Sequence, residues 1–188
     1  MRKLGWMTAT AVLLAFTLSG CNKLTQLTLS EQEINEYLQK HNDYQKQLGV
    51  PGVVDAHIVL SDLSSQIGRA EPGKVTLTGK ANVDISSLLG NQTAQMTLTL
   101  KAQPVFDHSQ GAIYLKEMEL VDYHVQPEKM QAVMKTLSPY LNQSLKSYFD
   151  QKPAYVLDAE KSMAQSLVKK VAKGIDVKPG QIVILFTD

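Results

Sequence analysis

No disulfide can form within this chain, because it holds a single cysteine, Cys21. Whatever fold it adopts must rest on apolar burial. Charge of one sign is not in excess either: 19 Lys and Arg face 18 Asp and Glu. That balance gives no support to nucleic acid as a partner or to electrostatic membrane binding, and no nucleic acid is expected. Nowhere does an apolar run reach the roughly 20 residues that span a bilayer. The four histidines, His41, His57, His108 and His124, show no metal-ligand spacing on one expected element. A G-x-S-x-G nucleophile elbow is missing. A phosphate-binding loop is only imitated by Gly68, Gly73 and Lys74. Val75 stands where a hydroxyl should meet magnesium, Pro72 removes an amide from the cradle, and the stretch separates two strands. A triad assembled from distant residues would show only in three dimensions, so an enzyme stands third among the readings. The chain is read as non-catalytic, with no metal and no cofactor apart from the covalent lipid described next.

What is present begins with an export signal. Arg2 and Lys3 are followed by an apolar run from Leu4 to Leu18 and then by the small pair Ser19-Gly20. Leu18-Ser19-Gly20-Cys21 reads as a lipobox. Residues 1–20 are then a signal peptide that is removed, and residues 21–29 are a lipidated cysteine and a linker. The Cys21 sulfur would carry diacylglycerol, and its freed amine a palmitate-type acyl group. One acyl chain holds a membrane marginally, whereas two or more hold it stably. Asn22 follows the cysteine. By resemblance to Gram-negative sorting rules, an Asp there would favour the inner membrane. The expectation is therefore the outer membrane, facing the periplasm. Residues 30–188 are read as a single α+β domain, of a size that buries about 70% of its unfolded surface.

Ser30 and Glu33 match a capping box and open a helix. Ile34, Tyr37, Leu38, His41 and Leu48 roughly keep helical spacing, so the helix is expected to end only before Gly49-Val50-Pro51-Gly52. Four alternating segments follow. Apolar side chains fall at Val54, Ala56, Ile58 and Leu60; at Val75, Leu77, Ala81, Val83 and Ile85; and at Ala94, Met96, Leu98, Leu100 and Ala102. In the fourth the phase slips from Ile113 and Leu115 to Met118 and Leu120, then to Val121, Tyr123 and Val125. Such slips mark bulges. Period-two alternation means one buried face, and the intervening turns favour an antiparallel meander. The strands run about 11 residues, or some 35 Å.

Pro127 then opens a long helix with a stripe at Met130, Val133, Met134, Leu137, Tyr140, Leu141, Leu145 and Tyr148. Pro139 is expected to kink or split it. At about 33 Å it would match the strands in length. Pro153 to Leu157 reads as a short strand. Asp158 to Lys173 reads as a third helix with Met163, Leu167 and Val171 inward and a solvated lysine cluster at Lys169, Lys170 and Lys173. Extended structure follows around Pro179-Gly180.

A long one-faced sheet and a striped helix of equal length suggest a curved antiparallel sheet rolled around that helix. Such a roll can leave an apolar slot along its axis. Inward methionines would give the slot an adaptable lining. The candidate lining residues are Met96, Leu98, Leu100, Met118, Met130, Met134, Leu137 and Leu141. The leading reading is a lipid-binding module tethered to the membrane by Cys21. If the apolar faces fill each other with no cavity, that idea fails. The rival is a structural or adaptor lipoprotein that binds another envelope protein through an edge strand or apolar patch.

The chain resembles the YceB-like lipoproteins of Gram-negative bacteria. The resemblance runs through Thr28-Leu29-Ser30-Glu31-Gln32-Glu33-Ile34-Asn35, Leu48-Gly49-Val50-Pro51-Gly52-Val53 and Ala56-His57-Ile58-Val59-Leu60. It continues in Leu115-Lys116-Glu117-Met118-Glu119, Val125-Gln126-Pro127-Glu128-Lys129-Met130-Gln131, Pro153-Ala154-Tyr155-Val156-Leu157 and Val177-Lys178-Pro179-Gly180. It implies a half-barrel fold related to the tubular lipid-binding proteins, with a long helix in the concave face. No catalytic motif comes with it, and only Cys21 carries over as a functional residue.

Overall fold

Every long strand of this chain has one face that must leave water, and the fold is the arrangement that covers it. The computed structural model describes residues 25–88, 90–158, 160 and 163–186. The expected signal peptide and Cys21 lie outside the described residues. The elements are β1 (Gln26–Ser30), α1 (Glu31–His41), β2 (Gln45–Val50), β3 (Val54–Ile67), β4 (Val75–Ser87), β5 (Gly90–Asp107), β6 (Ala112–Gln126), α2 (Gln131–Gln151), β7 (Tyr155–Val156), α3 (Met163–Val171), β8 (Gly174–Lys178) and β9 (Gln181–Leu185). The strands β2 to β7 form one antiparallel sheet in sequence order, the expected meander. A second sheet has the order β1-β9-β8. The class is α+β, with one large antiparallel sheet and one long helix.

The large sheet curls. The long helix α2 lies against β6 and also against β2, although three strands separate these two in the sheet. Only a curved sheet brings both to one helix. The alternation read from the sequence is the burial pattern observed, with Val75, Leu77, Ala81, Val83 and Ile85 of β4 buried and their neighbours more exposed. The phase slips in β6 are two register shifts against β5, at Thr99/Leu100 and at Lys101/Gln103. Glu117, at the second, has φ 53°. A further bulge lies in β3 between Ser61 and Ser64. It moves the buried phase from Leu60 to Leu63, Ser65 and Ile67.

Several boundaries differ from expectation, each for a physical reason. The first helix ends at His41 and Asn42 is extended. Leu48 lies two helical turns beyond His41, so a strand residue happened to fit the helical period. It pairs with Ala56 in the β2–β3 ladder. Gln26 to Leu29, read as linker, form β1, because β9, more than 150 residues later, supplies the pairing Leu27↔Ile184 and Leu29↔Ile182. The helix α2 is continuous through Pro139. The Ser138 hydroxyl donates to the Lys135 carbonyl at 3.0 Å, the acceptor that the missing proline amide leaves free. Four residues read as inward are exposed: Val121, Tyr140, Leu167 and Val171. Val121 sits at a bulge and Tyr140 on the flank of its stripe. Among the described side chains of α3, Gln165 and Val168 are buried, with Ala172 just beyond, and Leu167 and Val171 fall on a different face. The helix is also shorter than the expected 158–173.

The strands exceed their expected length. Those from β3 to β6 hold 13 to 18 residues, or about 43–60 Å. The 21 residues of α2 give about 32 Å. One helix therefore cannot cover the face. The remainder lies under α1, β7 and β9, where Ile34, Leu38, Tyr155 and Ile182 meet Ile67, Val75, Leu77 and Ile113.

Beyond Val59 the strand β3 has no β2 partner, and its bare edge is satisfied by α1 and the loop after it. Leu60 N donates to Tyr44 O at 3.1 Å, and Asn42 Nδ2 donates to Leu60 O at 2.8 Å. Asn35 Oδ1 accepts from Ser65 N at 2.6 Å, and its Nδ2 donates to Ser65 O. Glu31 Oε2 accepts from Ile67 N at 2.9 Å. Helix residues four apart thus meet strand residues two apart, and an aggregation-prone edge is closed. The chain is led into this arrangement by the capping box, in which Glu33 N donates to Ser30 Oγ and Ser30 N to Glu33 Oε2.

The two sheets meet where Gly180 N donates to Ile67 O. Gly68, with φ 61°, would place a Cβ 3.0 Å from the Lys178 carbonyl. Gly68→Ala is expected to lose about 2 kcal/mol or more, since displaced backbone adds to a left-handed penalty of 1–2 kcal/mol. Gly73 also has positive φ but open space around it, so Gly73→Ala should lose only the conformational part. Urea unfolding of the two variants checks the order.

Candidate apolar binding seam

The eight candidate lining residues come from three places. Met96, Leu98 and Leu100 point from β5 into the concave face, because alternation puts even positions of that strand inward. Met118 joins them from β6 beside its bulge. Met130 precedes α2 in a short 3₁₀ turn, and Met134, Leu137 and Leu141 continue its line at spacings of four, three and four. The same stripe ends on Leu145 and Phe149; the sequence reading missed the latter. All eight belong to one apolar core and none is more than 3% exposed. The structure therefore brings together every residue proposed for the lining. Met163 was also read as inward, but its side chain lies outside the described residues.

The expected open slot is filled. Among the described residues, two of the cavities against the core are small, one beside Leu38, Ile67, Leu77 and Ile113 and one beside Leu38, Leu63 and Phe149. Each holds about 10 Å³, room for one ordered water at most. Neither touches the methionines. The apolar side chains of β5 and α2 occupy the space that an empty slot would need.

The seam is fastened unevenly along α2. After Pro139 the helix is tied by polar groups. Asn142 Oδ1 accepts from Leu120 N at 2.7 Å, an amide at the β6 bulge. Tyr44 Oη donates to Ser144 Oγ at 3.0 Å. Tyr148 Oη donates to Asp43 Oδ1 at 2.6 Å, and Lys152 Nζ bonds Asp43 Oδ2 at 2.7 Å. Lys116 Nζ donates to Asp150 O at 2.6 Å. Before Pro139, among the described residues, the side-chain hydrogen bonds of α2 are internal: Thr136 to Ala132 O and Ser138 to Lys135 O. Packing of Met130, Met134 and Leu137 holds this half. The Asp43 clasp was missed because Asn42 and Asp43 were read as helix, although an Asn after an amphipathic turn is itself a stop signal.

The clasp is electrostatically coherent. The hydrogen bonds from Lys152 and Tyr148 hold the Asp43 carboxyl below its ordinary range. Burial, and then the bond to Asp43, push the Tyr148 phenol upward. Elsewhere, His41 is stacked on Tyr37 at 3.9 Å and bonded through Nδ1 to the Tyr37 carbonyl. His57 is exposed and 4.0 Å from Asp84 on the neighbouring strand.

Two outcomes follow from this geometry. Leu137→Ala should cost about 2–5 kcal/mol, as a buried leucine does, whereas Tyr140→Ala should stay within about 0.5 kcal/mol. Urea unfolding of each variant separates the inward from the outward face of α2. Because the folded pKa of Asp43 is depressed, its contribution is present above the unfolded value and is lost as pH falls through the folded one. The difference in Tm between wild type and Asp43→Asn should hold steady near neutrality and shrink once pH drops below about 3.9. Thermal melts across pH measure it.

A family described as a protein of unknown function (DUF1439) matches residues 29–181, from the capping box to the β8–β9 turn. The uncharacterized lipoprotein YceB of Escherichia coli (strain K12) is 63% identical over 180 residues, covering 96% of this chain and 97% of that one. The YceB of Salmonella typhimurium (strain LT2) is 62% identical over the same coverage. Among solved structures, a lipopolysaccharide binding protein aligns with 87% of this chain and 50% of its own, at TM-score 0.35 and 11% identity; that score is too low to assign a common fold. The matched span and the near full-length identity place the elements around the seam within both alignments, and the chain belongs to the YceB lipoproteins, the DUF1439 family of unknown function.

Proposed function

We propose that this lipoprotein is anchored through Cys21 in the outer membrane, faces the periplasm, and binds an acyl chain or similar apolar ligand between α2 and the concave face of β5 and β6. The role is binding and not catalysis. The observation that carries the reading is the seam itself. Four buried methionines, Met96, Met118, Met130 and Met134, line it, and half of the overlying helix has no polar tie to the sheet among the described residues. Thioethers repack at little cost, and a half-helix held by packing alone is the part a ligand can displace.

Magnitudes make the exchange feasible. Exposing Met130, Met134 and Leu137 would cost about 6–9 kcal/mol at roughly 2–3 kcal/mol each. An acyl chain of about 14 methylenes taken from water into the seam gains about 11 kcal/mol at 0.8 kcal/mol each. The ligand thus replaces the contacts it removes, and the filled seam of the free protein is its resting state.

One observation favours a second reading, an adaptor for another envelope protein. The seam is full without a ligand, and β2 forms an open edge of the large sheet, able to take an added strand. Lys46 at that edge works against indiscriminate pairing.

The test is native mass spectrometry of the periplasmically expressed chain carrying Cys21→Ser, which removes the covalent acyl groups. A discrete bound mass, identified as lipid after organic extraction, is the expected outcome. An apo mass that persists after incubation with envelope lipids would remove the ligand-binding reading in favour of the adaptor.

A further inference from the structure

We infer that the first half of α2, Gln131 to Ser138, is a lid hinged at Pro139, and that it lifts at the end of the sheet marked by Val53 and Leu88. The inference rests on the seam-binding reading and adds where the seam opens and what holds the rest of the helix still. Four observations meet here. Among the described residues, the polar ties that fasten α2 begin only after Pro139: Asn142 and Asp150 to β6, and Ser144 and Tyr148 to the loop before β2. At Pro139 the helix loses one backbone bond, and the freed Lys135 carbonyl is taken by Ser138 Oγ. The two halves are therefore joined by a weakened turn. The buried side chains of the lid are Met134 and Leu137, with Met130 in the turn before it, and among the described residues they can part from the sheet without breaking a side-chain hydrogen bond to it.

The fourth observation is the rim. Val54 pairs with Ser87, so the β2–β3 and β4–β5 turns stand together. In β5, Gln95 pairs with Gln126, the last residue of β6, so residues 90–94 run past the point where the chain turns into α2. Val53 and Leu88, at 58% and 91% exposure, sit on those turns. Exposed apolar side chains at this end of the sheet, where the lid is joined to β6 through Pro127 to Met130, suit the entry of an acyl chain. The Asp43–Tyr148–Lys152 clasp fixes the other half as the lid moves.

Hydrogen exchange on the unliganded Cys21→Ser chain tests the lid without any ligand. Amides of Lys135 to Ser138 should exchange about tenfold faster than those of Ser144 to Phe149, since local opening sets the rate. Pro139→Ala restores the missing bond and favours the helix, so it should fold and bring the two halves within about twofold. In stopped-flow fluorescence it should slow uptake of cis-parinaric acid by about tenfold. Tyr148→Phe loosens the clasp and should raise exchange in the second half only. Uniform exchange along α2 that Pro139→Ala leaves unchanged would overturn the lid even if cis-parinaric acid binds. Failure of the wild-type chain to take up cis-parinaric acid would instead overturn the seam-binding reading, whatever the exchange pattern.

Discussion

An apolar face up to 18 residues long on each strand has to leave water in a chain that holds one cysteine. Burial alone can stabilise such a domain, at about 25 cal/mol per Å² of apolar surface. One helix is too short to cover the face. The chain therefore covers it in two parts, α2 over one half and α1 with β7 and β9 over the other. The curl of the sheet follows, since α2 must reach both β6 and β2. The small sheet follows as well, because β1 and β8 give β9 two partners and so close a second layer.

Covering a long face leaves edges and ends to satisfy. Along β3 the cover is built from side chains: Glu31 and Asn35, four apart on α1, take the amides of Ile67 and Ser65. At the β6 bulge Asn142 takes the amide of Leu120. Among the described residues no buried side-chain nitrogen or oxygen lacks a partner. The helices thus do two tasks at once: leucines and methionines fill the face, and carboxylates and amides close the backbone that strand pairing leaves open.

The partition along α2 links packing to function. Its second half combines Leu141, Leu145 and Phe149 with a polar clasp, whereas its first half relies on methionine and leucine packing. A binding site can be stored in this way inside a filled core. Among the described residues the eight lining side chains are at most 3% exposed, so the proposed site would rest on the difference in fastening between two halves of one helix.

The local features of this fold were legible wherever one short stretch decides the outcome. Ser30 and Glu33 marked a helix start that needs only their own atoms, and the alternation of β4 and β5 marked an inward face because the pleat has a period of two. The slips around Met118 and Val121 marked bulges for the same reason. Distant partners decided the rest. Leu48 fitted a helical period, yet Ala56 and its neighbours drew it into a strand. Gln26 to Leu29 resembled a linker until β9 arrived from the other end of the chain. The Tyr148–Asp43 bond joins residues 105 apart. All eight lining residues were named from their periodicity, because facing inward is a local property. Whether their side chains leave a slot or fill it depends on how volumes from β5, β6 and α2 interlock, and pattern carries no volume. By itself the sequence determined which faces leave water and where turns and caps fall, since these are set within a few residues. Only the tertiary structure decided which faces meet, which edge each polar side chain closes, and that the seam rests full.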